Sequence, residues 1–173
     1  MTISEFQGWA FTVHFEDNLL RAIEARTDRA DYIRRRFTNE LGKVFDVAPA
    51  YYLVTELHDS HGKPVHPHIH GGIEIEGVAE AYVRHAIRRA AGHDMDRGPG
   101  KHNAYLGEKP YGRVEKWGKY VCKGLRRKAP LGWEKRHSMS NQLNGAARDF
   151  WEFISETATT EIDRRKGGAK IVA

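Results

Sequence analysis

Residues 8–15, GWAFTVHF, put Trp9, Phe11, Val13 and Phe15 on alternate positions, the period of a half-buried β-strand. The period then lengthens. From about Asp17 to Phe45, the apolar residues Leu19, Leu20, Ile23, Tyr32, Ile33, Phe37, Leu41 and Val44 recur at helical spacing. This predicts one helix or two, with Asp28 or Asp31 placed to cap the second. AYYLVTELH, 50–58, returns to strand composition, and DSHGKP supplies turn chemistry before a second apolar-alternating run, VHPHIHGGIEIEG, 65–77. Those two strands are expected to pair antiparallel. GVAEAYVRHAIRRAAGH, 77–93, predicts a helix that turns Val78, Tyr82, Val83 and Ile87 inward. MDRGPG reads as a loop and HNAYLGEKP, 102–110, as a short strand. RVEKWGKYVCKGLRRK, 113–128, predicts a helix burying Val114, Trp117, Val121 and Cys122. LGWEKRH reads as a loop, whose Trp133 is a stacking surface if exposed and core if buried. A last helix is expected over roughly Leu143 to Arg164.

The order strand, helix, strand, strand, helix, strand, helix matches a split β-α-β arrangement of the ferredoxin- and RRM-like type. The expected fold class is α+β, a central antiparallel sheet of about five strands with flanking helices. At 173 residues the chain is long enough for one domain with a real core. Its expected parts are a core over about 8–128, a helical extension over about 141–165 and a mobile tail over 166–173. A fold of this kind carries many activities, so function has to be read from particular residues.

Charge and cysteine content narrow the setting. Lys and Arg number 28 against 23 Asp and Glu, a formal charge of +5, which mildly favours a polyanionic partner. One cysteine, Cys122, excludes an intramolecular disulfide framework and a multi-cysteine zinc site, and implies a reducing compartment. No stretch approaches the ~18 apolar residues of a membrane span. The expectation is a soluble protein of the cytoplasm, or of the nucleus if its source is a eukaryotic virus, with no membrane partner.

Within the 65–77 run, His66, His68 and His70 occupy alternate positions and therefore share one face of the strand, as do Glu56 and His58 on the strand before it. Imidazole nitrogens and a carboxylate converging from two strands suit a divalent transition ion or Mg²⁺, with positions left for water and substrate. His14, His85, His93, His102 and His137 read as ordinary, partly exposed side chains. A second constellation lies downstream, where KYVCKG sets Tyr120 and Lys123 three apart on one helix face. A phenol with an ordinary pKa of ~10 needs a nearby cation to act as a nucleophile. A metal site and a tyrosine on a separate helix together suggest transesterification at a phosphodiester, giving a 5′-phosphotyrosine and a free 3′ hydroxyl. Alone, Tyr-x-x-Lys is commonplace in basic helices.

Three motifs, WAFTVHF, TELHDSHGKPVHPHIHGGIEIEG and KYVCKG, spanning residues 9–124, resemble the HUH endonucleases and in particular the single-tyrosine initiators of rolling-circle replication. The resemblance implies Glu56, His68 and His70 as metal ligands, with His58 as the alternative to Glu56 as in three-histidine relaxase sites. It implies Tyr120 as nucleophile, Lys123 as its phosphate-positioning partner, and Mg²⁺ or Mn²⁺ as cofactor. His66 falls outside the matched triplet because residue 67 is proline. The implied partner is single-stranded DNA at an origin, free or within a hairpin. With no Gly-x-x-x-x-Gly-Lys-Ser/Thr segment present, a helicase would act in trans.

DNA contacts are expected around the tyrosine helix, at Lys109, Tyr111, Arg113, Lys116, Arg126, Arg127 and Lys128, where cations can track a backbone and aromatic rings can stack on bases. Arg84, Arg88 and Arg89 are weaker candidates, and Arg34, Arg35 and Arg36 read as a helix exterior. Two other readings share part of this evidence. One is a single-tyrosine transposase of a mobile element, although such enzymes usually carry glutamine where Lys123 stands. The other is a noncatalytic nucleic-acid-binding module with a structural metal. A hydrolase using water would cleave without forming a protein-linked strand.

Overall fold

The computed structural model describes residues 9–59, 61–93, 104–107, 125, 127–149 and 152. In chain order these form β1 (Trp9–His14), α1 (Asp17–Glu24), α2 (Arg29–Leu41), β2 (Tyr51–His58), β3 (Pro64–Ile73), α3 (Glu80–Ala90), β4 (Ala104–Leu106) and β5 (His137–Met139). A further helix covers 141–149. The sheet order is β4-β1-β3-β2-β5 with every neighbouring pair antiparallel. The first four strands reproduce the split β-α-β order expected from the sequence, and the α+β class holds. β3 is the central strand, and its histidines therefore lie at the middle of the sheet.

Alternation assigns the two faces. Phe11, Val13, Leu53, Leu57, Ile69 and Ile73 point to one side and join Leu19, Leu20, Ile23, Ile33, Phe37, Leu41, Val83, Ala86 and Ile87 in a single buried cluster. All three helices α1, α2 and α3 thus cover the same face. Phe11 is 1% exposed and stacks on Phe37 with ring centroids 6.0 Å apart. Burying a side chain of that size contributes about 1.5–3 kcal/mol. Gly71 makes the close packing possible, since a Cβ there would stand 2.3 Å from the Phe11 ring.

The helical region from Asp17 to Phe45 divides into two. Glu16, two residues after β1, caps α1, its carboxylate accepting from the Asn18 and Leu19 backbone N–H groups at 2.8 and 3.4 Å. Asp28 occupies the N-cap position of α2, but its carboxylate is drawn instead to Arg26 and Arg35. α3 ends in a Schellman arrangement: Gly92 has φ 94°, its N–H bonds to Arg89 O at 3.0 Å, and the His93 N–H bonds to Arg88 O at 3.1 Å. Arg36 closes the same helix end by donating to Ala90 O and Arg89 O. The end of α3 also meets the end of β1, because Glu16 N–H donates to Ala91 O.

Two readings of the sequence are corrected, the inward Tyr82 and the far end of the 113–128 helix. Tyr82 is 65% exposed, whereas Val83, Ala86, Ile87 and Ala90 are buried. One residue corresponds to 100° of rotation, so a stripe fixed by Val83 and Ile87 turns Tyr82 outward. The loop around Trp133 is present and leads into β5, a strand the sequence reading did not include, which extends the sheet beside β2; of the two roles left open for Trp133 it takes core, at 5% exposure, with the Arg29 guanidinium 5.2 Å from its ring centroid. The last helix begins at 141, where the extension was expected to start, capped by Ser140, whose Oγ accepts from Leu143 N–H at 3.2 Å. The helix expected over 113–128 does not reach its end, since Arg127 lies in a bend and Lys128 in no regular element; its 113–124 part, with Val114, Trp117, Val121 and Cys122, lies outside the described residues, as do the 95–100 loop, His102 and the 166–173 tail.

Candidate metal centre

On the face turned away from α1, α2 and α3, the register aligns His14 of β1, His68 of β3 and Glu56 of β2 in one row across the sheet. Thr12, His70 and Val54 form the next row. Glu56 and His68 are thus direct cross-strand neighbours, and His70 reaches Glu56 diagonally. Glu56 Oε2 lies 2.6 Å from His70 Nε2 and 3.4 Å from His68 Nε2, and the two Nε2 atoms are 3.2 Å apart. The side chains are 9%, 7% and 12% exposed respectively. Among the described residues this trio is the group whose side-chain donors could hold a metal ion.

The triangle has the right size. Metal–nitrogen and metal–oxygen bonds of roughly 2.0–2.1 Å place ligand atoms about 3.3 Å apart in a tetrahedral site and about 2.9 Å apart in an octahedral one. The observed edges straddle those values. The proton positions fit as well. His68 Nδ1 is 3.0 Å from the backbone carbonyl of His66, which can only accept, so Nδ1 carries the hydrogen and a neutral His68 presents a bare Nε2. That lone pair points at a carboxylate oxygen and a second imidazole nitrogen. Electron-rich atoms brought together in this way need a proton or a cation between them, and three donors leave positions free for other ligands.

The surroundings tie the trio to the fold. His70 Nδ1 is 2.8 Å from Thr12 Oγ1. His14 stacks on His68, with centroids 4.8 Å apart and planes at 25°. Burial, followed by the imidazoles of His68 and His66, holds the His14 pKa below its ordinary value and favours the neutral ring. His93 Nε2 donates to the His14 carbonyl at 2.7 Å, which couples the end of α3 to this strand. Gly72 leaves room on the same face for the Tyr52 ring, 2.5 Å from where a Cβ would stand.

Of the residues picked out in the sequence, Glu56, His68 and His70 converge. His58 does not join them: the register shifts between Glu56 and His58, and His58 pairs with Pro64 beyond that irregularity. Its Nδ1 is buried without a hydrogen-bond partner. His66 lies beside the centre, 44% exposed, with Nε2 3.2 Å from Asp17 Oδ1. Arg127 donates to the Asp59 carbonyl in the β2–β3 turn at 2.6 Å, and Lys128 is exposed. Tyr120, Lys123, Lys109, Tyr111, Arg113, Lys116 and Arg126 lie outside the described residues. Thr12 and His14 were not picked out from the sequence. Their signal was present, since both stand opposite the aromatic face of the first strand, and the split β-α-β order sets that strand beside β3.

Comparison with protein-family models, curated proteins and solved structures finds no match to this chain. No helix among the described residues is long and apolar enough to cross a membrane.

Proposed function

We propose that the chain is a metal-dependent endonuclease of the HUH type, which nicks and rejoins single-stranded DNA to start rolling-circle replication. The observation that carries this reading is the three-donor centre that His68 and His70 of the central strand β3 form with Glu56 of the neighbouring β2 in a split β-α-β sheet. A structural ion ordinarily takes four protein ligands, whereas three with free positions suit a working site. The sequence adds Tyr120 and Lys123 downstream, in the motif order of that superfamily.

Glu56, His68 and His70 would hold Mg²⁺ or Mn²⁺, which would supply charge to polarise the scissile phosphate. Tyr120 Oη attacks phosphorus, a Tyr–O–P bond forms, and the P–O3′ bond breaks. Tyr120 gives up its phenolic proton as it attacks, the departing 3′ oxygen takes up one in exchange, and the 5′ phosphate remains on the protein. Lys123 offsets charge on the phosphate and favours the phenolate. One phosphodiester is exchanged for another, so the reverse attack by a 3′ hydroxyl rejoins the strand at comparable cost.

The test is a denaturing gel of the purified protein incubated with a mixed pool of single-stranded oligonucleotides and Mn²⁺, beside Tyr120→Phe. A nuclease-sensitive shifted band that requires both metal and Tyr120 is expected. Cleavage with no protein-linked strand would replace this reading with a water-using hydrolase. Binding without cleavage at the sequence selected from the pool would replace it with a noncatalytic module.

A further inference from the structure

The two histidines of the centre are held in place by different means. His68 is oriented by a main-chain carbonyl, that of His66, which no side-chain substitution removes. His70 is held by side chains, at Nδ1 by Thr12 Oγ1 across the β1–β3 ladder at 2.8 Å and at Nε2 by Glu56 at 2.6 Å. We infer that Thr12 is the positioning residue that makes His70 a metal ligand. This inference rests on the metal centre and not on the DNA chemistry assigned to it.

A hydroxyl can both donate and accept, which a methyl group cannot. Without a metal, His70 Nε2 lies 2.6 Å from Glu56 Oε2, a separation that calls for a proton on Nε2. A neutral ring then has a bare Nδ1, and Thr12 donates to it. To ligate through Nε2 the ring must give up that proton and carry its hydrogen on Nδ1 instead, and Thr12 now accepts. The same hydroxyl therefore serves both forms of the ring without moving. His70 is buried, so losing the hydroxyl that accepts from Nδ1–H would penalise the ligating form. Outer hydrogen-bond partners of ligating histidines typically change metal affinity by roughly 10–100-fold.

Thr12→Val keeps the shape and the strand preference and removes the hydroxyl. Thr12→Ser keeps the hydroxyl. Mn²⁺ titration of the full chain, followed by the loss of the free-ion paramagnetic resonance signal, should show Thr12→Val binding roughly 10–100-fold more weakly than wild type and Thr12→Ser within about threefold of it. Nitrogen NMR of the Zn²⁺-loaded wild type should place the remaining ring hydrogen of His70 on Nδ1. The metal-free melting temperature reports any purely structural loss separately. Equal affinities for wild type and Thr12→Val would overturn the inference while leaving the centre standing. Equal weakening in Thr12→Ser and Thr12→Val would overturn it too, by showing that the site responds to packing. A wild type that binds no Mn²⁺ would overturn both the centre and the inference.

Discussion

The two faces of the central sheet are built from the same strands, one residue out of step, yet they are held together by different physics. On the helix side Phe11, Val13, Leu53, Ile69 and Ile73 fill a space in which neighbouring volumes matter and direction matters little. On the other side Thr12, His14, Glu56, His68 and His70 are fixed by hydrogen bonds and ring stacking, where direction is everything. A change on the first face should therefore register as lost stability. One on the second should register as lost metal.

Phe11→Ala should have the largest effect, a destabilisation of about 3–5 kcal/mol from the lost burial and the cavity left against Phe37 and Gly71. Denaturant unfolding measures it. Glu56→Ala should weaken Mn²⁺ binding by more than about 100-fold, beyond the range that outer partners command, while the metal-free fold unfolds at nearly the same denaturant concentration. Calorimetric titration beside the unfolding curve separates the two, and a collapse of the fold would erase the contrast between the faces. His58→Ala should leave Mn²⁺ affinity within about threefold of wild type, because the bulge removes that ring from the trio. A loss as large as that of Glu56→Ala would restore His58 as the third ligand.

The smallest effect lies far from either face. Hydrogen bonds from Arg26 and then Arg35 hold the Asp28 carboxyl down at about 2, from an ordinary 3.8. A carboxyl whose pKa is lower in the folded state stabilises the fold above its unfolded pKa and loses that contribution as the pH falls through the folded value. The melting temperatures of wild type and Asp28→Asn should thus differ slightly at neutral pH and converge between about pH 4 and pH 2. Exposure of all three side chains to solvent keeps the difference small.

What the sequence made legible follows the same division. A period of two over GWAFTVHF and a composition rich in β-branched and aromatic residues revealed β1 and its buried face, and the apolar spacing after Asp17 revealed α1 and α2. Strand alternation made two sets visible, His66, His68 and His70 on one strand and Glu56 and His58 on the next; the resemblance narrowed them to Glu56, His68 and His70, and the β2–β3 register brings those three together. β5 was not visible: three residues, His137 to Met139, are too short for a period, and the strand is locked in place by distant pairing with Tyr52, Leu53 and Val54. The fate of His58 was hidden for a related reason. A bulge is set by how the 59–63 turn meets the ladder, where Asp59 accepts from the His61 and Lys63 backbone N–H groups, and side-chain alternation carries no trace of it. Thr12 and His14 were passed over because the aromatic side of β1 dominated its pattern. Only the strand order brings the other side next to the histidines.

The claim on which the rest depends is that Glu56, His68 and His70 bind one divalent ion. Crystals soaked in Mn²⁺ and measured by anomalous scattering test it most directly. The account predicts a single strong peak within bonding distance of His68 Nε2, His70 Nε2 and a Glu56 carboxylate oxygen, with Thr12 still on His70 Nδ1. A map with no peak among these three side chains at saturating Mn²⁺, or a peak centred on His58 or His66, would contradict it.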